Sequence, residues 1–109
     1  MVDTLKVLGQ INPAATTLTD VYTVPAATTV TISSVVICNQ VTTPGTFRLS
    51  IAIAGAADTA KQYLYYNQPL DGNGTFVATI GITLAAGDVV RGYAGGTNVS
   101  FSIFGIEVT

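Results

Sequence analysis

The stretch TFRLSIAIA at residues 46–54 alternates apolar and polar side chains with a period of two. This alternation is the pattern of a β-strand with one buried face. A second stretch, TFVATIGITL at residues 75–84, repeats it, with threonines on the outer side. Both stretches therefore predict single strands. The side chains predicted to point inward are Phe47, Leu49, Ile51 and Ile53 in the first strand and Phe76, Ala78, Ile80, Ile82 and Leu84 in the second.

Shorter apolar runs on either side, bounded by Gly, Pro, Asn and Asp, predict six further strands. No stretch keeps a helical periodicity, and residues 54–61 are short and contain Gly55, which favours a loop. Eight short strands joined by close turns predict an all-β fold, an antiparallel β-sandwich of the jelly-roll type. The six further strands are predicted at residues 4–9, 19–24, 30–39, 61–66, 88–94 and 98–108.

The last predicted strand is apolar on both faces, with Phe101 and Phe104 on opposite sides of a regular alternation. Two explanations fit this pattern. A bulge or bend at Phe104-Gly105 shifts the phase, or both faces of the strand are buried.

A length of 109 residues predicts a single domain, residues 1–109. Residues 1–18 are predicted as an extended N-terminal arm, because Asn12-Pro13 and Ala14-Ala15 separate two weak strands. The opening residues lack an apolar segment behind a basic stretch, so no secretory signal is expected.

Charge is scarce along the whole chain. Charged residues make up 9% of the sequence, against about 25% in an average soluble domain, while apolar residues make up 49%. A folded chain of this size leaves about a third of its unfolded surface uncovered. Either threonine, serine and small residues coat that surface, or other subunits cover part of it.

The composition also excludes several kinds of function. Histidine is absent and the net charge is −2, so we expect no imidazole catalysis and no nucleic-acid partner. A single cysteine, Cys38, makes no zinc site, and no run is long and apolar enough to enter a membrane. Asp58, Asp71 and Asp88 lie in turn-like stretches. A hairpin turn is the favoured interpretation of Asp71-Gly72-Asn73-Gly74, with calcium binding as the alternative. We therefore predict no enzyme, no cofactor and no metal site.

Aromatic side chains are the best candidates for a contact surface. Tyr63, Tyr65 and Tyr66 lie in one predicted strand, where Tyr63 and Tyr65 share a face. They favour a subunit contact, and the alternative is that they form a platform for a sugar or peptide together with Tyr22 and Tyr93. Arg48 and Arg91 either pair with an acid such as Asp88 or Glu107 across an interface, or face solvent. The predicted interface residues are Tyr63, Tyr65, Tyr66, Phe101, Phe104, Arg48 and Arg91.

Residues 21–40 and 46–70 carry a series of short motifs. The series resembles a family of small structural proteins of tailed bacteriophages, including phages of cyanobacteria and marine bacteria. Family members often have Asn-Arg where this chain has Asn39-Gln40, a difference that alters the charge there. The motifs are the turn Val24-Pro25-Ala26, the strand end Cys38-Asn39, the strand start Phe47-Arg48 and the loop Ala54-Gly55-Ala56.

Residues 82–108 are similar to the closing half of jelly rolls of the C1q/TNF type. Proteins of that fold usually form trimers about apolar sheet faces, which suits a chain too apolar to stand alone. The likeness is moderately specific, because its motif is short and made of turn residues. It is carried by Leu84, Gly87, Asp88, Val90, Phe101, Ser102, Phe104 and Gly105.

Together the two resemblances imply a non-enzymatic structural protein of the virion. The leading expectation is a capsid cement or decoration protein, made in the host cytoplasm, that binds the major capsid protein lattice on the capsid surface as a homotrimer. The alternatives are a component of the tail, neck, baseplate or fibre, or a module that binds host glycans.

Overall fold

The computed structural model describes all 109 residues and shows an all-β sandwich of two antiparallel sheets. This confirms the predicted fold class, with nine strands in place of about eight. Two 3-10 turns, Ile53–Gly55 and Ala60–Gln62, lie between the fourth and fifth strands. The strands are β1 (Asp3–Ile11), β2 (Thr19–Thr23), β3 (Thr29–Asn39), β4 (Gly45–Ala52), β5 (Tyr63–Leu70), β6 (Thr75–Ala78), β7 (Ile82–Leu84), β8 (Val89–Ala94) and β9 (Val99–Val108).

The strand order is that of a jelly roll. The five-stranded sheet runs β1-β9-β3-β6, with β7 also paired to β3, and the four-stranded sheet runs β2-β8-β4-β5. The pairs β4–β5, β3–β6, β2–β8 and β1–β9 are successive rungs of one long antiparallel ribbon, wrapped around the core. The turn predicted at residues 71–74 is present, but it leads from one sheet to the other and closes no hairpin.

The core lies between the two sheets. Phe47 of β4 and Phe101 of β9 are fully enclosed, and their rings meet edge to face with centroids 6.2 Å apart. Each such aromatic side chain contributes about 1.5–3 kcal/mol by leaving water. The other large side chains with no exposed surface are Ile32, Ile37, Leu49 and Ile103.

The stretch at residues 75–84 was predicted as one strand, but it forms two, β6 and β7. β7 pairs Ile82 with Ile32, and β6 pairs Ala78 with Val35. Between these pairs β3 advances by three residues and the other segment by four, so the ladder cannot continue and residues 79–81 bridge the gap. Ile80 in that bridge is 40% exposed, which corrects its prediction as a core residue.

The strand predicted at residues 46–54 also ends earlier than expected. β4 stops at Ala52, because Ala54 takes a φ of 53° and turns the chain out of the sheet. Ile53 is consequently 74% exposed and lies outside the core, contrary to the prediction.

The N-terminal segment is part of the sandwich in this structure. β1 pairs with β9 along most of its length and contributes the buried Leu8 to the core. Beyond β1, the Thr16 N–H donates to the carbonyl oxygen of Ala94 at 2.8 Å. An arm formed by residues 1–18 therefore stays a prediction, and it would require β1 to leave this pairing.

The side chains of β9 alternate regularly between the two faces of the sheet, also at Phe104-Gly105, where the sequence left a bulge or bend open. Phe101 points inward and Phe104 outward, and the extra residues of the two bulges lie on the neighbouring strands, Leu8 on β1 and Ser33 on β3. A Cβ on Gly105 would lie 2.1 Å from a backbone oxygen of β3, so this close approach requires glycine. The strand is therefore apolar on both faces without changing phase.

Candidate functional site

The acidic side chains are mostly engaged in structural hydrogen bonds. Asp88 is buried, and its two oxygens accept the N–H groups of Ala54 at 3.0 Å and Ala85 at 2.9 Å. No three His, Cys, Asp or Glu side chains lie close enough together to hold a metal ion. None of the helical segments has the length and apolar character needed to cross a membrane. The candidate sites described below lie on the outer faces of the two sheets.

The outer face of the five-stranded sheet carries almost no charge, and we call it the neutral face. Of the four basic and six acidic residues, only Asp3 lies on it. Three of its apolar side chains are largely open to solvent, with exposed fractions of 77% for Leu5, 48% for Val7 and 57% for Val77. Exposed apolar side chains on a sheet face with so little charge are typical of an interaction site.

Cross-strand pairing arranges the neutral face in rows. Leu5 of β1 lies beside Ile106 of β9, and Val7 lies beside Phe104. The next row runs from Ser102 through Val36 of β3 to Val77 of β6. Four columns of strands about 4.8 Å apart, with a length of about 34 Å, give an area of about 650 Å².

The outer face of the four-stranded sheet is built around a stacked arginine. The guanidinium carbon of Arg48 lies 4.2 Å from the ring centroid of Tyr66 and 4.2 Å from that of Tyr93. Its Nε–H donates to Oδ1 of Asn67 at 2.8 Å. Each cation–π contact of this exposed kind contributes about 0.5–1 kcal/mol. Arg48 is therefore fixed within its own chain and needs no acid from another subunit.

Beside Arg48 lies a shallow depression that we call the tyrosine depression. The rings of Tyr63 and Tyr66 meet edge to face with centroids 5.0 Å apart, and the Tyr63 hydroxyl donates to Oδ2 of Asp58 at 3.0 Å. Burial raises the pKa of the Tyr63 phenol, and the Asp58 carboxylate raises it further. The depression has a volume of about 550 Å³ and is lined by Arg48, Asp58, Thr59, Ala60, Tyr63 and Tyr66.

Arg91 of β8 forms hydrogen bonds with the loop that carries Asp58. Arg91 donates to the carbonyl oxygens of Ala56 at 2.8 Å and Gly55 at 3.2 Å, and its Nε–H bonds to Asp20 at 3.2 Å. The suggested pairing of Arg91 with Asp88 or Glu107 is therefore replaced by a contact with Asp20 of the same chain. Arg91 consequently orders the wall of the tyrosine depression.

The predicted interface residues fall in three different places. Tyr63 and Tyr66 lie on the outer face of the four-stranded sheet, and Phe104 lies on the neutral face. Tyr65 points inward against Phe47 and Phe76, and Phe101 is enclosed in the core, so neither is placed to contact another subunit.

Bulges in β5 explain why Tyr65 points inward and does not share a face with Tyr63. From Phe47 to Leu49, β4 advances by two residues while β5 advances by three, and a second extra residue follows before Tyr63. Tyr63 and Tyr66 consequently share a face, and Tyr65 takes the other, contrary to the prediction. Tyr93, which the platform alternative included, lies beside Arg48 on the outer face of this sheet. Its position two residues after Arg91 is the signal that places it on the same face.

A hydrogen-bonded group ties the sheets together at one end of the sandwich. The Tyr22 hydroxyl donates to Oε2 of Glu107 at 2.5 Å, and Lys6 pairs with Oε1 at 3.3 Å. The bond from Tyr22, assisted by Lys6, lowers the pKa of the Glu107 carboxyl, while burial raises the pKa of the Tyr22 phenol. All three groups are thus engaged with one another in a structural role.

Comparison with known proteins gives a weak structural likeness. No family model matches the chain, and no curated protein matches it. Among solved structures, the chain is similar to a pentameric capsid protein isolated from metagenomic phage sequences, with 14% sequence identity and a TM-score of 0.39. The match covers 94% of this chain and 62% of that chain, so this chain spans less than two thirds of that protein's length. A likeness this weak does not assign a function.

Proposed function

We propose that this chain is a non-enzymatic structural subunit of a bacteriophage particle. Specifically, it acts as a capsid cement or decoration protein that binds the major capsid protein lattice as a homotrimer. The observation that carries the proposal is the neutral face, because exposed apolar side chains (Leu5, Val7 and Val77) on a face with a single charge favour contact with another protein. The virion setting and the trimer come from the two sequence resemblances.

Another copy of this chain is the partner that fits the neutral face. Its area of about 650 Å² approaches the about 800 Å² that each partner buries in an interface of standard size. Around a threefold axis, one part of this face would meet a different part of the same face on the next copy. Its single charge, Asp3, is the first residue of the edge strand β1, so these contacts can form without burying it. The hydroxyls of Ser102 and Thr31 rotate to donate or accept as the contact requires.

The proposed mechanism on the capsid is binding linkage. A protein that binds the assembled lattice, and not its separated subunits, stabilises the lattice by its binding free energy. At a concentration of about 100 times Kd this amounts to about 2.7 kcal/mol for each site. No chemical step is needed, which agrees with a chain whose buried carboxylate, Asp88, is engaged by backbone N–H groups.

The oligomeric state provides the first test. Size-exclusion chromatography with multi-angle light scattering, at micromolar protein concentrations, should give the mass of three chains. A single-chain mass would contradict assembly through the neutral face, and a two-chain mass would contradict the trimer.

The location in the particle provides the second test. Gold-labelled antibodies against the purified protein should mark the head surface of intact particles of the phage that encodes it. Adding the protein to heads that lack it should raise the temperature at which they release DNA. Label on the tail alone would contradict the cement role and favour a component of the tail, neck, baseplate or fibre.

A further inference from the structure

The guanidinium group of Arg48, in the tyrosine depression, has hydrogen-bond donors that are not used within the protein. Nε–H of Arg48 is bonded to Asn67, whereas neither Nη atom has an acceptor in the protein. The two stacking contacts with Tyr66 and Tyr93 hold the plane of the group in one orientation. A planar, oriented guanidinium presents its remaining donors in a fixed fork.

An acceptor lies on the same wall, and it is also fixed. Oδ2 of Asp58 is occupied by the Tyr63 hydroxyl, while Oδ1 has no partner in the protein. The loop around Asp58 is held on one side by Arg91 and on the other by Gln62, whose Nε2 donates to the carbonyl oxygen of Ala57 at 2.8 Å. The depression thus offers donors and an acceptor in a preorganised arrangement.

These groups define the chemistry of the ligand. Tyr66, with 58% of its surface exposed, provides an aromatic side chain on which an apolar ring face can rest. A sugar residue combines such a face with neighbouring hydroxyls that both accept and donate hydrogen bonds. We propose that the tyrosine depression binds a neutral hexose residue of a glycan, a recognition activity separate from assembly.

The charge of the depression decides between a neutral and an acidic sugar. Arg48 and Asp58 are the charged residues in its lining, and their charges cancel. A carboxylate or phosphate approaching Arg48 would be repelled by the Asp58 carboxylate, which the hydrogen bond from Tyr63 holds on the wall of the depression. A neutral hydroxylated ring has no such conflict.

Sugar binding is testable by nuclear magnetic resonance. The ¹⁵N-labelled protein is titrated with D-glucose, D-galactose, D-mannose and N-acetyl-D-glucosamine up to millimolar concentrations. At least one sugar should shift the Arg48 Nε–H signal and the amides of residues 58–66. Replacing Tyr66 with Ala should weaken that binding about tenfold, and Asp58→Asn should weaken it as well.

Leu64→Ala is the matched control, because Leu64 lies on β5 but outside the lining of the depression. This variant should bind the sugar as the parent protein does. Absence of shifts with every sugar of the panel would overturn the proposal, as would equal weakening by Leu64→Ala. Binding of glucuronate or sialic acid in place of the neutral sugars would also overturn it. None of these results depends on where the protein sits in a virion.

Discussion

Replacing Leu5 with Asp introduces a carboxylate into a row of the neutral face. Leu5 pairs with Ile106 of β9, and the only acid on that face, Asp3, lies two residues away on the same side of β1. The free chain should tolerate the change, because 77% of the leucine is already in water. An oligomer built on this face should not tolerate it.

The size of the effect follows from the exposure of Leu5. Full burial of a leucine side chain contributes about 1.5–3 kcal/mol, and about three quarters of that surface is still available to an interface, which leaves about 1–2 kcal/mol per copy. A carboxylate trapped at the contact adds a desolvation cost of several kcal/mol. We therefore expect association to weaken about 100-fold or more.

Analytical ultracentrifugation over a range of concentrations measures this change directly. The parent chain should sediment as an oligomer at micromolar concentration, and Leu5→Asp should sediment as a monomer with an unchanged circular dichroism spectrum. The control is Leu64→Asp, which makes the same chemical change at a leucine that is 44% exposed on the other sheet. If Leu5→Asp kept the parent's mass while Leu64→Asp lost it, the neutral face would not be the interface.

Three further predictions concern stability. Asp88→Ala leaves two backbone N–H groups without their acceptor and should lower the free energy of unfolding in urea by about 2–6 kcal/mol; a change below about 1 kcal/mol would show that the bonds are dispensable. The hydrogen bond from Tyr22 lowers the pKa of Glu107, so its stabilisation is present above the unfolded-state pKa of about 4.3 and is lost as the pH falls through the lower folded value. Glu107→Gln should therefore flatten the fall in melting temperature in that acidic range, and an unchanged pH profile would contradict this assignment. Gly105→Ala forces a Cβ onto a backbone oxygen and should cost about 1–3 kcal/mol in thermal unfolding, whereas a parent-like melting temperature would show that the strands can separate without cost.

The fold was predictable because an alternation of two residues reports directly which side of a strand meets the core. Phe47 and Leu49 are fully buried as that rule requires. The rule fails where a strand carries an extra residue, and such a residue depends on how neighbouring strands pair. Tyr65 and Ile80 were both misplaced for this reason.

The candidate surfaces were predictable only in part. The sequence indicated that apolar side chains would remain outside the core, and Phe104 does lie on the neutral face. It could not show that Tyr93 stacks on Arg48 or that Arg91 pairs with Asp20. Those contacts depend on the registers of β8 with β4 and β2, which are set by the whole sandwich.

The arrangement of the two faces gives the two proposals independent tests. The neutral face and the tyrosine depression lie on opposite sheets of a sandwich that is 20 Å across its shortest axis, so a contact that covers one leaves the other open. Leu5→Asp should therefore abolish assembly and keep the sugar-induced shifts, because Leu5 touches nothing in the depression. Tyr66→Ala should do the reverse. If either variant removed both activities while the fold persisted, the faces would not act separately.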